Sequence, residues 1–139
     1  MMAVNYNLNS PNRQEEINIF MKAEKLIEKI KAHPKIADAG MILCHNGLVR
    51  VTSRDGRKVL AVEVKVDRQR LIEVIQRIKG RSGIVEFLAE VREGRFSVGD
   101  DLMILVIAGD FRENVIAAMT EAIDFIKKDV VTKKEVFAV

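Results

Sequence analysis

The residues with the greatest capacity for chemistry gather at the end of the chain. Ile126-Lys127-Lys128 is followed by five residues and then by Lys134-Glu135, with Lys133 just before them. Amines grouped where an amphipathic segment gives out have two readings. They complement the negative end of a helix dipole, or they form a pocket for an anion in which a lysine stabilises charge, donates a proton or attacks a carbon. Two arginines add weight to the second reading. Arg50 stands in the apolar run Gly47-Leu48-Val49-Arg50, and Arg112 falls in the first turn of the last expected helix, where the dipole disfavours a cation. An anion such as a phosphate docked between them accounts for both.

Other constellations are weaker. Two histidines and one cysteine are too few and too scattered for metal-ligand spacing. Cys44, inside Met41-Ile42-Leu43-Cys44, reads as a buried and inert thiol. Gly80-Arg81-Ser82-Gly83 lacks the ending of a phosphate loop and reads as a turn. His45, beside Asn46-Gly47, reads as a strand-end or turn residue rather than a general base.

Composition narrows the function classes. The 23 basic and 20 acidic side chains leave a net charge of +3, without the concentrated basic charge of a dedicated nucleic-acid binder. With no Trp and one Tyr there is little surface for stacking bases. No apolar run approaches the ~20 residues of a membrane span, and the N-terminus lacks the pattern of a secretory signal. A single cysteine permits no intrachain disulfide, which suits a reducing compartment. The expectation is a cytoplasmic protein with neither nucleic-acid nor membrane partners.

The 139 residues suffice for one domain with a sizeable core. Residues 1–13, rich in Asn, read as a flexible N-terminal arm, and residues 14–139 as a single domain. Ile19, Ala23, Leu26, Ile27 and Ile30 recur at helical spacing and predict a helix over residues 14–33, closed by Pro34. Residues 39–52 read as a strand interrupted at Asn46-Gly47 by a bulge or a tight turn. Ser53-Arg54-Asp55-Gly56-Arg57 is a hairpin signal leading into the alternating strand of Val62, Val64 and Val66. Asp67 caps a second expected helix with Leu71, Val74, Ile75 and Ile78 on its buried side, ended by Gly80. Strands follow over residues 84–91 and 102–108, joined through Gly94 and Gly99-Asp100. Asp110 is expected to cap the last helix, which buries Val115, Met119, Ala122, Ile123 and Ile126. Residues 136–139 close as an edge strand. The pattern predicts an α+β sandwich in the order αββαββαβ.

In their order and spacing these pieces resemble the large, catalytic subunit of molybdopterin synthase, from about His33 to Glu135. The resemblance rests on Ala39-Gly40 leading to Gly47-Leu48-Val49-Arg50, and on Gly94-Arg95-Phe96-Ser97-Val98-Gly99-Asp100 at a G-x-L-x-V-G-D/E turn. It rests also on Ala108-Gly109-Asp110-Phe111-Arg112 at S-x-H-R, Ile123-Asp124-Phe125-Ile126-Lys127 at D-x-L-K, and Lys133-Lys134-Glu135 at W-K-K-E. It implies an α/β hammerhead-type sandwich of mixed or antiparallel sheet with about three helices. It further implies a homodimer that binds a small ubiquitin-like sulfur carrier ending in Gly-Gly, giving a heterotetramer. The implied activity is a sulfurtransferase reaction of molybdenum cofactor biosynthesis. Sulfur passes from the carrier's thiocarboxylate to cyclic pyranopterin monophosphate, with no cofactor and no metal. Lys127 matches the family's essential lysine, and Lys133 or Lys134 the second. Arg50 and Arg112 match basic residues lining the substrate pocket.

The chain departs from the pattern at specific positions. Phe111 stands where the family has the histidine of its His-Arg pair, and Val91-Arg92 where many members have another. Asp129-Val130-Val131-Thr132 replaces a tryptophan and a proline. The competing reading is therefore a catalytically impaired relative, a dimeric binding module for the sulfur carrier or the pterin. A third is a structural dimer whose lysines are merely solvated.

Overall fold

Residues 20–139 are described in this computed structural model. The arm expected over residues 1–13 and the beginning of the first expected helix, with Ile19, lie outside the described residues. Residues 20–22 are not helical, so the helix begins later than the apolar spacing suggested. Helix α1 spans Ala23–Lys31 and buries Leu26 and Ile30. After a short 3-10 turn at Ile36–Asp38, strand β1 runs over Met41–Leu48. Strand β2 covers Val59–Val66, helix α2 Arg68–Lys79, and strands β3 and β4 Ile84–Val91 and Gly94–Ser97. Strand β5, Asp101–Gly109, leads to helix α3 over Arg112–Phe125, and β6 over Val131–Phe137 is the last element.

Two three-stranded antiparallel sheets result, in the orders β1-β5-β3 and β4-β2-β6. The architecture is the α+β sandwich of three helices that the pattern predicts. Strand β5 is central, and its run Met103 to Gly109 is buried, as a strand covered on both faces requires. Alternation divides its side chains. Leu105 and Ile107 share a cluster with Leu71 and Ile78 of α2 and Val115 and Ala122 of α3, whereas Ile104, Val106 and Ala108 share one with Leu26 and Ile30 of α1. A third cluster of Val49, Val59, Val62, Val64 and Phe96 lies against the second sheet.

Local chemistry sets the boundaries. Asp67 caps α2 by accepting a hydrogen bond from the Arg70 amide at 3.0 Å. Asp110 does not cap α3 as expected. Phe111 is the N-cap, and the Asp110 carboxylate instead accepts from the Asn114 amide group at 2.8 Å, which holds its pKa below the ordinary carboxylate value. The Ser53–Arg57 hairpin closes with the Ser53 amide donating to the Arg57 carbonyl at 2.9 Å, and Gly56 takes φ +88°. Strand β1 passes straight through Asn46-Gly47, with an irregularity in pairing between Gly47 and Leu48, so the bulge is the alternative realised.

Two elements depart from expectation. Gly94–Ser97, read as a connection, forms the short edge strand β4. The closing strand starts at Val131 rather than at Val136, because β6 pairs with all of β2 from Val66↔Val131 to Val59↔Phe137. Lys133 and Lys134 consequently belong to a strand and not to a helix end.

Between α3 and β6 the helix widens into a π turn at Ile126–Val130. Ile126 and Val130 are buried at its two ends, and the Asp67 amide donates to the Val130 carbonyl at 2.8 Å. Lys127, Lys128 and Asp129 are thereby pushed outward. Such single-turn widenings recur at functional sites.

Candidate functional site

The second sheet and the end of β1 enclose a cavity of about 310 Å³. Val49, Val62 and Leu102 form its apolar wall. Arg50, Arg54, Lys133 and Glu135 bring charge to it, and Thr52 and Ser53 complete the hairpin side. Three cations against one carboxylate suit an anionic guest. Arg50 lies just past the end of β1 rather than on it, and its Nε donates to the Thr52 carbonyl at 2.7 Å. That bond fixes the guanidinium at the mouth while leaving its other N–H groups available.

Strand pleating separates the two lysines that the sequence left as alternatives. Lys133 pairs with Val64 and Glu135 with Val62, so both lie on the inner face with the cavity wall. Lys134 pairs with Glu63 on the outer face, where Arg95 makes an ion pair with Glu63 at 2.8 Å. The geometry therefore brings Lys133 to Arg50 and leaves Lys134 in a solvated row of alternating charge. Arg54 went unremarked in the sequence because it sits within a turn signal. Only the fold of the hairpin carries it to the cavity.

Lys127 does not line the cavity. The chain from Lys127 to Lys133 passes from the core beneath α3, where Val130 packs, to the cluster against the second sheet, where Val131 packs. The chain from Leu43 to Arg50 makes the same passage, with Leu43 in the first cluster and Val49 in the other. His45 lies on this second path. Burial, and then the charge of Lys127, push its pKa below the ordinary 6.5, which favours the neutral imidazole. Burial alone raises the Cys44 thiol, which leaves it a poor nucleophile.

Arg112 does not join this group within the chain. It opens α3, is largely exposed, and lies 3.9 Å from Glu113. Gly109, just before it, pairs with Met41 at the start of β1, while Arg50 follows the other end of that strand. Eight residues of strand put about 27 Å between those ends. Phe111 is 66% exposed beside Arg112. Among the described residues no group of His, Cys, Asp and Glu is arranged to hold a metal ion. No described helix is long and apolar enough to cross a membrane.

Comparison with known proteins adds a family and a fold. The model of the MoaE protein family matches residues 13–129, a span that includes Arg50, Arg112 and Lys127 and stops before Lys133. No curated protein matches the chain. Among solved structures, molybdopterin synthase from Staphylococcus aureus superposes with a TM-score of 0.69 at 21% identity, covering 86% of this chain and 87% of that one. Molybdopterin cofactor biosynthesis protein E from Burkholderia multivorans ATCC 17616 gives 0.69 at 20% identity, with coverages of 86% and 84%. A complex of subunits 1 and 2 of molybdopterin-converting factor from Helicobacter pylori 26695 gives 0.63 at 15% identity, with coverages of 86% and 85%. At these identities the structural likeness speaks for the fold.

Proposed function

The chain belongs to the MoaE protein family and has a role in molybdenum cofactor biosynthesis, and from that premise we propose that it is the large subunit of a molybdopterin synthase. It takes sulfur from the thiocarboxylate of a small ubiquitin-like carrier and transfers it to cyclic pyranopterin monophosphate. The observation that carries this reading is the cavity bearing Arg50, Arg54 and Lys133, with Lys127 on the π turn that leads into the strand carrying Lys133. Its two guests, a pterin phosphate and a thiocarboxylate, are both anions and both require fixed cations.

The residues divide the work by position. Arg50, fixed through its Nε, and Arg54 hold the phosphate. Lys133 receives the carrier's terminal carbonyl, whose two preceding glycines offer no side chain and enter extended. Lys127 faces the negative charge that develops on the acyl oxygen as the carbon–sulfur bond is exchanged. Neither Lys127 nor Lys133 makes an ion pair with a described residue, so both remain available.

Arg112 reaches such a site only from a second copy. Strand β1 is an edge strand of eight residues, Met-Ile-Leu-Cys-His-Asn-Gly-Leu, without the lysine or proline that guards exposed edges. The opposite edge, β3, carries Glu86 and Glu90 and an irregularity at its start. Two copies joined antiparallel along β1 set the Met41 end of one beside the Leu48 end of the other. Arg112 of one chain then approaches Arg50 of its partner. The homodimer is thus part of the reading, because it assembles the pocket.

Turnover tests the function. The protein is mixed with thiocarboxylated carrier and cyclic pyranopterin monophosphate, and product is read as the fluorescent oxidised pterin. Product that disappears with Lys127→Ala in a folded protein supports the synthase. Carrier bound without product would instead favour the binding module, with Phe111 as its mark.

A further inference from the structure

We propose that His45 is the proton acceptor of this site, the imidazole that works beside Lys127. The inference rests on the sulfur-transfer reading and adds a residue to it. His45 pairs with Leu105, and Leu105 packs in the same cluster as Ile126 and Val130, the residues that flank Lys127 in the π turn. The ring therefore stands on the sheet face that holds the cluster of Leu105, Ile126 and Val130, and Leu48, further along the same strand, lines the cavity. Gly47, two residues on and on the same face, offers no side chain to shield it. A Cβ at Gly47 would come within 3.6 Å of the His45 Nε2.

The surroundings favour the neutral ring. Lys127 of the π turn is the charged group facing it. Strand β5 presents Leu105 and Met103 there, which do not titrate. Phe111 cannot move a proton, and it lies at the far end of β1 in the same chain. His33, the other histidine, lies 3.7 Å from Glu86 and accepts a hydrogen bond from the Lys35 amide through Nδ1, which occupies it elsewhere.

The chemistry calls for such a base at one step. Once the carrier's sulfur has bonded to the pterin, the acyl carbon remains attached to that sulfur, and water must release it. The water oxygen bonds to the acyl carbon while one water proton passes to an imidazole nitrogen of His45. The carbon–sulfur bond then breaks with its electron pair on sulfur. The carrier leaves as a carboxylic acid that loses its proton to solvent, and Lys127 offsets the charge on the acyl oxygen meanwhile.

Two measurements test the proposal. In the first, the imidazole signals are titrated by NMR in the wild type and in Lys127→Met, with His45→Gln identifying the signal that belongs to His45. The His45 signal titrates below 6.5 in the wild type and moves upward in Lys127→Met. An unchanged midpoint would overturn the pairing. In the second, turnover is followed against pH for the wild type, His45→Gln and His45→Phe. Both variants lose about 100-fold and lose the acidic limb of the profile, which a merely structural role would leave in place. Wild-type turnover with unaltered variants overturns the role of His45. Absence of turnover in the wild type itself overturns the sulfur-transfer reading, and the role of His45 with it.

Discussion

Lys133 and Lys134 are neighbours in sequence and opposites in space, so they make the sharpest comparison between side chains. Lys133→Ala removes a cation from the cavity and is expected to lower turnover by about 100-fold, the usual cost of one lost charge-stabilising donor. Lys134→Ala removes a solvated charge opposite Glu63 and is expected to leave turnover within about twofold of wild type, as surface pairs contribute little. Equal losses in steady-state assays would refute the assignment. The sequence could not separate the two residues because it placed them at a helix end. Only the pairing of β6 along the whole of β2 decides their faces. Glu121 supports a second prediction. Burial pushes its pKa up, but the Arg81 and Arg77 guanidiniums outweigh burial and leave it lowered. The folded chain then binds this proton less readily than the unfolded chain does. The stabilisation is complete above the ordinary value of 4.5 and is lost as pH falls through the folded value. Thermal melts of Glu121→Gln should lie below wild type at neutral pH and converge with it in acid, whereas a constant offset would contradict the ion-pair account.

Among the elements, α3 with its π turn positions the site. Ile126 is fully buried in the cluster that also holds Leu105, Ala122 and Ile78, and it anchors the turn that presents Lys127. Ile126→Ala should cost about 2–5 kcal/mol in denaturant melts, since a buried branched side chain is deleted and a cavity left. A loss under about 0.5 kcal/mol, typical of surface changes, would contradict that packing. Gly109 occupies a close approach, where a Cβ would meet the Gly83 carbonyl oxygen and Val115 at 2.7 Å. Gly109→Ala should therefore destabilise the junction of β5 and α3 by forcing backbone to move. The apolar spacing foretold α2 and α3 nearly residue by residue, because a helix buried on one face writes that face into its sequence. It missed β4, whose four residues bury only Phe96 and leave no periodic trace. It gave no sign of the π turn, whose outward lysines look like any solvated helix end. Arg50 and Lys133 were legible as residues, but their meeting at the cavity depends on long-range pairing that local patterns do not encode.

For the whole molecule, the separation of Arg50 from Arg112 along β1 governs the account. Light scattering after gel filtration should report a dimer, and a monomer at micromolar concentration would contradict pairing along β1. Arg50→Ala and Arg112→Ala dimers, each inactive, should regain about a quarter of wild-type turnover when their subunits are exchanged, because a two-fold mixed dimer keeps one intact site. No recovery would place the two arginines in separate functions. Binding of the phosphate should also weaken as salt rises, since the cations at the mouth are partly open to solvent. The central claim is that sulfur passes through this chain's lysine-bearing site to the pterin. The most direct test follows isotopically labelled sulfur from the carrier thiocarboxylate by mass spectrometry in a single turnover. The account predicts label in the pterin with the wild type and label retained on the carrier with Lys127→Ala. Label retained on the carrier with the wild type, or transferred undiminished by Lys127→Ala, would contradict it.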